Sequence, residues 1–346
     1  MELLTIGAFA RAARLSPKAL RLYDELGLLR PASIDPRSGY RWYSPEQLDH
    51  ARLVASLRRI GMPLARIKIV CELDNAGAAR EIAAYWRQVE ADIRSRAKLA
   101  SFLIEQLSRK EAPMSPLTIR YAVHSDRGLV RESNQDVAYG GPHLLAVADG
   151  FGAESEERLA SSVAIDALKH LDTTVPAGDL LNALSDAVER AGTAVRGLGA
   201  GVGTTLTALL WSRPRLALVH IGDSRVYLLR GGRLSQITQD HTLVQSMIDE
   251  DRLTPEEAAA HPQRALLVKA LHGGKTAEPD IELRAAEPGD RYLLCSDGLH
   301  TAVTMDALHE VLATTADPQQ TVRELVDSAN RHGGADNVAC VVADVA

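Results

Sequence analysis

The chain is 346 residues long with ordinary soluble-protein composition, which allows two or three folded units with sizeable cores. Its net charge of −6 is uneven: the whole chain has 39 Lys and Arg against 45 Asp and Glu, residues 1–71 have 12 against 6, and 27 against 39 remain. A basic front end suits a polyanionic partner and the acidic remainder does not. No run of 18 or more apolar residues and no leader-like segment is present, so no membrane association and a cytoplasmic protein are expected. Cys71, Cys295 and Cys340 are widely spaced, which argues against a disulfide framework or zinc site and predicts three small buried hydrophobes.

The first elements are short helices. Thr5 is a candidate N-cap before Ile6, Phe9 and Ala10, and Ser16-Pro17 caps a second helix that Gly27 closes. Lys18 and Arg21, three apart, share a face of that second helix. The turn-rich segment Asp35-Pro36-Arg37-Ser38-Gly39-Tyr40-Arg41-Trp42-Tyr43 reads as a wing, and Ser44-Pro45-Glu46 caps a further helix that Gly61-Met62-Pro63 breaks. From the residues alone, a small helical domain with a solvated basic face fits as well as a helix-turn-helix. The wording Leu20-Arg21-Leu22-Tyr23-Asp24-Glu25-Leu26-Gly27, Gly39-Tyr40-Arg41-Trp42-Tyr43 and Arg59-Ile60-Gly61-Met62-Pro63-Leu64 resembles the DNA-binding domain of MerR-type transcription regulators. That resemblance implies a winged helix-turn-helix on a double-stranded operator. Lys18 and Arg21 would lie in the major groove and Arg41 and Tyr43 on the backbone; Tyr23 is either a phosphate contact or a packing residue.

Residues 78–110 contain no Pro or Gly, and Ile82, Trp86, Val89, Ile93, Ala97, Ala100, Ile104 and Leu107 recur at steps of three and four. This near-heptad stripe predicts a long helix, either packed on its own domain or paired as a coiled coil. The MerR resemblance implies a homodimer through this helix, presenting two recognition helices to a two-fold site. A thiol-based metal sensor is not expected, because only Cys71 lies nearby. Ala112-Pro113-Met114-Ser115-Pro116 reads as a linker.

Downstream, Leu144-Leu145-Ala146-Val147-Ala148-Asp149-Gly150 reads as a buried strand that delivers Asp149 to its end. The pattern returns in Leu293-Leu294-Cys295-Ser296-Asp297-Gly298 and, reordered, where Gly333-Gly334-Ala335-Asp336-Asn337 precedes the apolar Val338-Ala339-Cys340-Val341-Val342. Arg131-Glu132-Ser133-Asn134-Gln135-Asp136 adds an arginine and another acid. One Asp-Gly alone is a turn. Several carboxylates at strand ends, with glycines permitting close approach, suit hard cations such as Mg2+ or Mn2+. Two such ions can activate water against a phosphate monoester and neutralise its oxygens.

With Ser125-Asp126-Arg127-Gly128, Gly203-Thr204-Thr205-Leu206-Thr207 and His220-Ile221-Gly222-Asp223-Ser224-Arg225 in order, residues 119–346 resemble bacterial metal-dependent serine/threonine phosphatases of the 2C type, the PPM family. The resemblance implies an α/β/β/α-layered β-sandwich and two Mn2+ or Mg2+ ions. Asp149 would bridge them, Asp297 and Asp336 would complete one, and the Gly150 carbonyl would bind the other. Asp136 would hold a metal-bound water, and Arg131 the substrate phosphate. Asp223 resembles a third-metal position, with a structural hairpin acid as the equal alternative. His143 and His300 read as surface or packing residues. Residues 241–274 resemble a flap over the site, in which Thr254 and Glu257 form a capping box. Two departures stand out: Phe151-Gly152-Ala153-Glu154-Ser155-Glu156-Glu157-Arg158 replaces the family's Met-Gly-Gly-His run, and Gln135 replaces a common Glu.

The expected fold is α+β: an all-α winged helix-turn-helix at 1–71, a dimerisation helix at 72–112, a linker at 113–118, and the phosphatase sandwich at 119–346. The expected function is a DNA-binding regulator that hydrolyses phosphoserine and phosphothreonine in proteins by direct attack of metal-bound water. The alternative is a transcription regulator whose phosphatase-like domain only senses a ligand or phosphoprotein.

Overall fold

A computed structural model describes residues 3–108, 117–152, 157–176, 178–199, 201–212, 215–273 and 278–346. The chain divides into two compact units, Met1–Ala97 and Lys98–Ala346.

In the first unit, local capping chemistry sets the helix starts. The Thr5 side chain accepts from the Ala8 backbone N–H at the head of helix Ile6–Ala13. Ser16 accepts from Ala19 N–H at the head of helix Pro17–Glu25, whose first residue is the proline that needs no hydrogen bond there. Helices Leu48–Arg59 and Leu64–Glu72 complete the core, in which Phe9, Leu20, Val54, Met62 and Ile67 are fully buried. The unit is not purely helical. Three short strands, ordered Leu4–Thr5, Arg41–Tyr43, Ser33–Ile34, form an antiparallel ribbon that includes the wing. Helix Asn75–Ser108 is 34 residues long, and Ala78, Ile82 and Tyr85 pack on the unit's core. Farther along the apolar stripe, Trp86 and Ile93 are exposed, while the side chains of Ile104 and Leu107 lie outside the described residues. Among the described residues no helix is long and apolar enough to cross a membrane.

The second unit is two antiparallel sheets face to face. One has five strands in the order Arg233–Gln236, Arg225–Arg230, Arg291–Cys295, Val338–Val345, Ile119–Asp126. The other places Asp280–Ala285, Arg215–Ile221, Leu206–Ser212 and Leu144–Phe151 side by side, with Asp136–Gly140 on the far edge of Leu144–Phe151 and two short strands continuing it. Alternation along each strand builds the layers. Leu145, Val147, Leu209 and Leu218 meet Val226, Leu294, Ala339 and Val341 between the sheets. The opposite residues, Leu144, Ala146, Leu210 and Val219, pack under helices Glu157–Lys169 and Leu180–Arg196. On the other side Leu293, Cys295, Cys340 and Val342 pack under helices Met305–Thr314 and Pro318–Arg331. The result is an α/β/β/α stack, and both buried cysteines are core hydrophobes; Cys71 is only half-buried.

Arg291 fastens a corner of this stack. Its Nε and Nη2 donate to Asp344 at 2.5 and 2.8 Å, and its other donors reach the carbonyls of Leu312, Thr315 and Ala316 in and just after the last turn of helix Met305–Thr314. Replacing it strands a half-buried carboxylate and three carbonyls. Arg291→Met is therefore expected to lower the urea-unfolding stability of the second unit by about 3 kcal/mol. A loss of unfolding free energy under about 1 kcal/mol would show the pair contributes little.

Candidate functional site

Strand register brings the first two acids together. Asp136 and Asp149 lie directly opposite each other where Asp136–Gly140 pairs with Leu144–Phe151. The Asp149 backbone is held on both sides: its N–H donates to Thr205 Oγ1 at 3.0 Å, and its carbonyl accepts from Thr205 N at 2.9 Å and Thr204 Oγ1 at 2.9 Å. Thr205 Oγ1 is in turn 2.8 Å from Ser224 Oγ, next to Asp223. Gly150 is buried and its N–H donates to the Gln135 carbonyl at 3.3 Å.

Asp297 arrives from the neighbouring sheet, one residue after Ser296, whose hydroxyl accepts from Ala339 N–H at 2.9 Å. Gly298 is required here, because a Cβ would meet the Asn337 carbonyl oxygen at 2.0 Å. Asp336 sits on the turn before strand Val338–Val345, and Arg131 Nη2 donates to its Oδ2 at 2.8 Å. Both of those side chains are partly exposed at the cleft mouth.

Asn337 is the residue that sequence reasoning passed over as a mere neighbour of Asp336. It is buried, its Nδ2 donates to the carbonyls of Arg127 and Ser133 at 2.8 and 2.9 Å, and its Oδ1 accepts from Gln135 N–H at 2.8 Å. It thus ties the Asp336 turn to the loop carrying Arg131 and Asp136. No local signal marks that role, since its partners lie some 200 residues away in sequence.

The electrostatics of the cleft are those of crowded like charges. Burial raises the Asp136 carboxyl to about 7, and the charges of Asp297 and Asp336 add to it. Burial first and the neighbouring Asp136 and Asp297 next push Asp149 well above the carboxylate range. Burial and Asp297 raise Asp223 to about 8, and burial and Asp336 raise Asp297. Asp136 Oδ2 is buried without a hydrogen-bond partner. A carboxylate oxygen left so, in a nest of acids, is the environment a divalent cation relieves, so the donor set fits hard cations. Among the described residues, no three Asp, Glu, His or Cys groups close on one point as a finished ligand set. Asp336 engages Arg131, while the Asp149 carboxyl meets both Asp136 and Asp297.

Asp223 is buried beside Asp149 and Asp297, and its carbonyl accepts from His300 Nε2 at 3.0 Å. His300 is thereby a partner of the site's backbone, beyond the packing role expected of it; burial lowers its pKa to about 4, so it is neutral. His143 packs, with its N–H donating to Asp172 at 2.8 Å. Across residues 241–273, helix Pro255–Ala259 begins with the Thr254–Glu257 capping box. Residues 153–156 of the altered loop lie outside the described residues.

In the first unit Lys18 and Arg21 are both exposed on helix Pro17–Glu25. Tyr43 requires correction. Tyr43 is fully buried and stacks on Phe9 at 4.6 Å, so it has no surface to offer a phosphate. Side chains alternate along a strand, which points Arg41 to the same side, where its Nε donates to Asp24 at 2.7 Å. Arg41 is thus a brace between strand Arg41–Tyr43 and helix Pro17–Glu25. Tyr23 is also buried, which settles its two alternatives in favour of packing.

Residues 4–74 match the MerR HTH family of regulatory proteins, and residues 122–340 match the protein phosphatase 2C family. The serine/threonine protein phosphatase PstP of Mycobacterium tuberculosis is 50% identical over 235 residues, which cover 66% of this chain and 45% of that protein. The chain thus spans about half the length of that relative. Protein phosphatase PhpP of Streptococcus pneumoniae is 32% identical over 230 residues, covering 62% of this chain and 92% of that one. Among solved structures, the Mycobacterium tuberculosis PstP/Ppp phosphatase superposes with a TM-score of 0.63 at 49% identity, covering 66% of this chain and 98% of that one. The PstP catalytic domain in complex with two manganese ions superposes with a TM-score of 0.62 at 48% identity, covering 66% of this chain and 99% of that one.

The Asn337 clamp is directly testable. Asn337→Ala leaves two carbonyls and one N–H without partners in a buried setting and is expected to cost about 2–4 kcal/mol of second-unit stability in urea unfolding. Wild-type stability in the variant would mean the loop and turn hold each other without it.

Proposed function

The chain belongs to the protein phosphatase 2C family and carries a MerR-type helix-turn-helix unit, and on that premise we propose that it is a DNA-binding homodimer with a metal-dependent serine/threonine phosphatase on each subunit. We assign residues 1–71 to operator binding, 72–112 to pairing, 113–118 to a linker and 119–346 to hydrolysis of phosphoserine and phosphothreonine in proteins, in the cytoplasm. The observation that carries the reading is the cleft in which Asp149, facing Asp136 across the register, lies with Asp223 and Asp297 beside Asp336 and Arg131.

Asp149, Asp297, Asp336 and the Gly150 carbonyl would hold two divalent cations, with Asp223 available to a third. Mn2+ or Mg2+ there supplies a nucleophilic water at neutral pH and charge neutralisation for the phosphoryl oxygens. The chain's own residues do the rest. Arg131, at the cleft mouth, takes the phosphate through two parallel N–H donors, exchanging the Asp336 carboxylate for substrate. The buried Asp136 orients water through its unpartnered oxygen. Asn337 fixes the two segments against each other, so that Arg131 and Asp336 keep their spacing. No covalent phosphoenzyme is required.

The alternative, a regulator whose phosphatase-like domain senses a ligand, draws on the departures at 151–158. One assay separates them. Purified protein with added Mn2+ is expected to hydrolyse a phosphothreonine peptide. Chelator should abolish the activity, and Asp149→Ala should lower it by at least about a hundredfold, the usual order for losing a group that stabilises developing charge. Turnover equal to the variant's, in folded protein, would favour the sensor.

On the DNA side, gel shift with the upstream region should give a salt-sensitive complex. Lys18→Ala with Arg21→Ala should weaken it about tenfold or more and reduce the slope of log K against log salt by at most about 2. A complex indifferent to both substitutions would remove this helix from the interface.

A further inference from the structure

Leu129 and Val130 are the most exposed large apolar side chains among the described residues, each at 67%. They are consecutive, and the next residue is Arg131. A single exposed Leu or Val is ordinary. Two in succession on a fastened backbone, beside a guanidinium at a cleft mouth, are a different case.

The fastening is extensive. The N–H groups of Leu129 and Val130 both donate to the Gly334 carbonyl, at 2.8 and 3.2 Å. Gly128 N–H donates to Asp126 Oδ1 at 2.8 Å, and the Arg127 carbonyl is held by Asn337. Gly128 has φ +74°, and a Cβ on it would meet the Asp336 carbonyl oxygen at 2.2 Å, so the loop lies flush against the Asp336 turn. A backbone held at so many points cannot fold over to bury the two side chains. They stay in water, and a partner that covers them loses little backbone entropy, which is how preorganisation raises affinity.

Their spacing from Arg131 sets the register of that partner. Consecutive Cα atoms are about 3.8 Å apart, so Val130 and Leu129 stand within about 4 and 8 Å of the Arg131 backbone. An extended peptide advances about 3.3 Å per residue. With the phosphate on Arg131, the neighbouring one or two residues of an extended substrate come within reach of the pair.

We propose that Leu129 and Val130 form an apolar shelf that selects phosphopeptides carrying an apolar side chain within two residues of the phosphorylated Ser or Thr. The inference rests on the reading of Arg131 as the phosphate-binding residue and adds the substrate class.

The experiment uses the full chain with Mn2+ and three substrates: p-nitrophenyl phosphate, a phosphothreonine peptide with Leu at the two positions on either side, and the same peptide with Ser there. Wild type is expected to prefer the Leu peptide through KM. The Leu129→Ser/Val130→Ser double variant should raise KM for that peptide about five- to tenfold, the order expected for partial loss of an apolar subsite, with kcat within about twofold. It should hydrolyse p-nitrophenyl phosphate like wild type and treat both peptides alike. Equal wild-type KM values for the two peptides, or an equal loss in the variant on p-nitrophenyl phosphate, would overturn the shelf while leaving the phosphatase reading intact. No wild-type hydrolysis of p-nitrophenyl phosphate would overturn both. A change of oligomeric state in the variant on size exclusion would assign the pair to self-association instead, and the proposal would fall.

Discussion

Carboxylates packed side by side repel, and a protein that keeps several of them in one half-buried cleft must hold them there against that force. Here the strand register opposes Asp136 to Asp149, and the second sheet brings Asp297 and Asp336 to the same end of the sandwich. The pKa values of Asp136, Asp149 and Asp297 rise through burial and mutual charge, the environment that a divalent ion would relieve. Arg131 offsets part of the excess by sitting on Asp336. The arrangement is costly locally, as functional sites are, and the stability that tolerates it comes from elsewhere.

That stability is visible in the layers. Apolar side chains from both sheets fill the central layer, and each outer face is covered by a pair of helices. Bidentate pairs reinforce the strands behind the cleft: Arg225 with Asp240, Arg230 with Asp290, and Arg291 with Asp344. In each the guanidinium fork matches the carboxylate and leaves neither charge alone. Nearer the acids the scaffold changes character. Thr204, Thr205, Ser296 and Asn337 are buried and bond to backbone, and buried Ser224 bonds the Thr205 hydroxyl, which fixes main-chain position without adding charge to a cleft that has too much of it.

What could be read in the sequence follows the range of the forces involved. Helix starts at Thr5, Ser16 and Thr254 were legible because a cap is made within three residues. The strands ending at Asp149 and near Asp297 were legible because an apolar run that stops at an acid and a glycine has few other readings. The acids' presence in one cleft was foreseeable from their motifs, but the opposition of Asp136 and Asp149 depends on register, which no single strand specifies. Tyr43 went astray for a related reason. An aromatic beside arginines looks like a surface contact until the two-residue alternation is anchored, and Phe9, distant in sequence, anchors it. Asn337 and the Arg41–Asp24 brace are non-local hydrogen bonds between ordinary polar residues, and nothing in their neighbours' identity announces them.

On the proposed reading, charge would separate two kinds of phosphate recognition. Residues 1–71 carry an excess of positive charge, and a duplex presents a line of phosphates that such a surface can follow. The remainder is acidic, so its attraction for a single phosphate must be local. Arg131 already bonds Asp336 at 2.8 Å, so a phosphate that it binds would have to displace that carboxylate. A phosphopeptide held by one guanidinium alone would bind weakly. On the proposed reading, apolar contact at Leu129 and Val130, next in sequence to Arg131, is insensitive to salt and to the unit's net charge. A cleft built around repelling acids would then gain more discrimination from covering two apolar side chains than from a further cation, which the acids would neutralise.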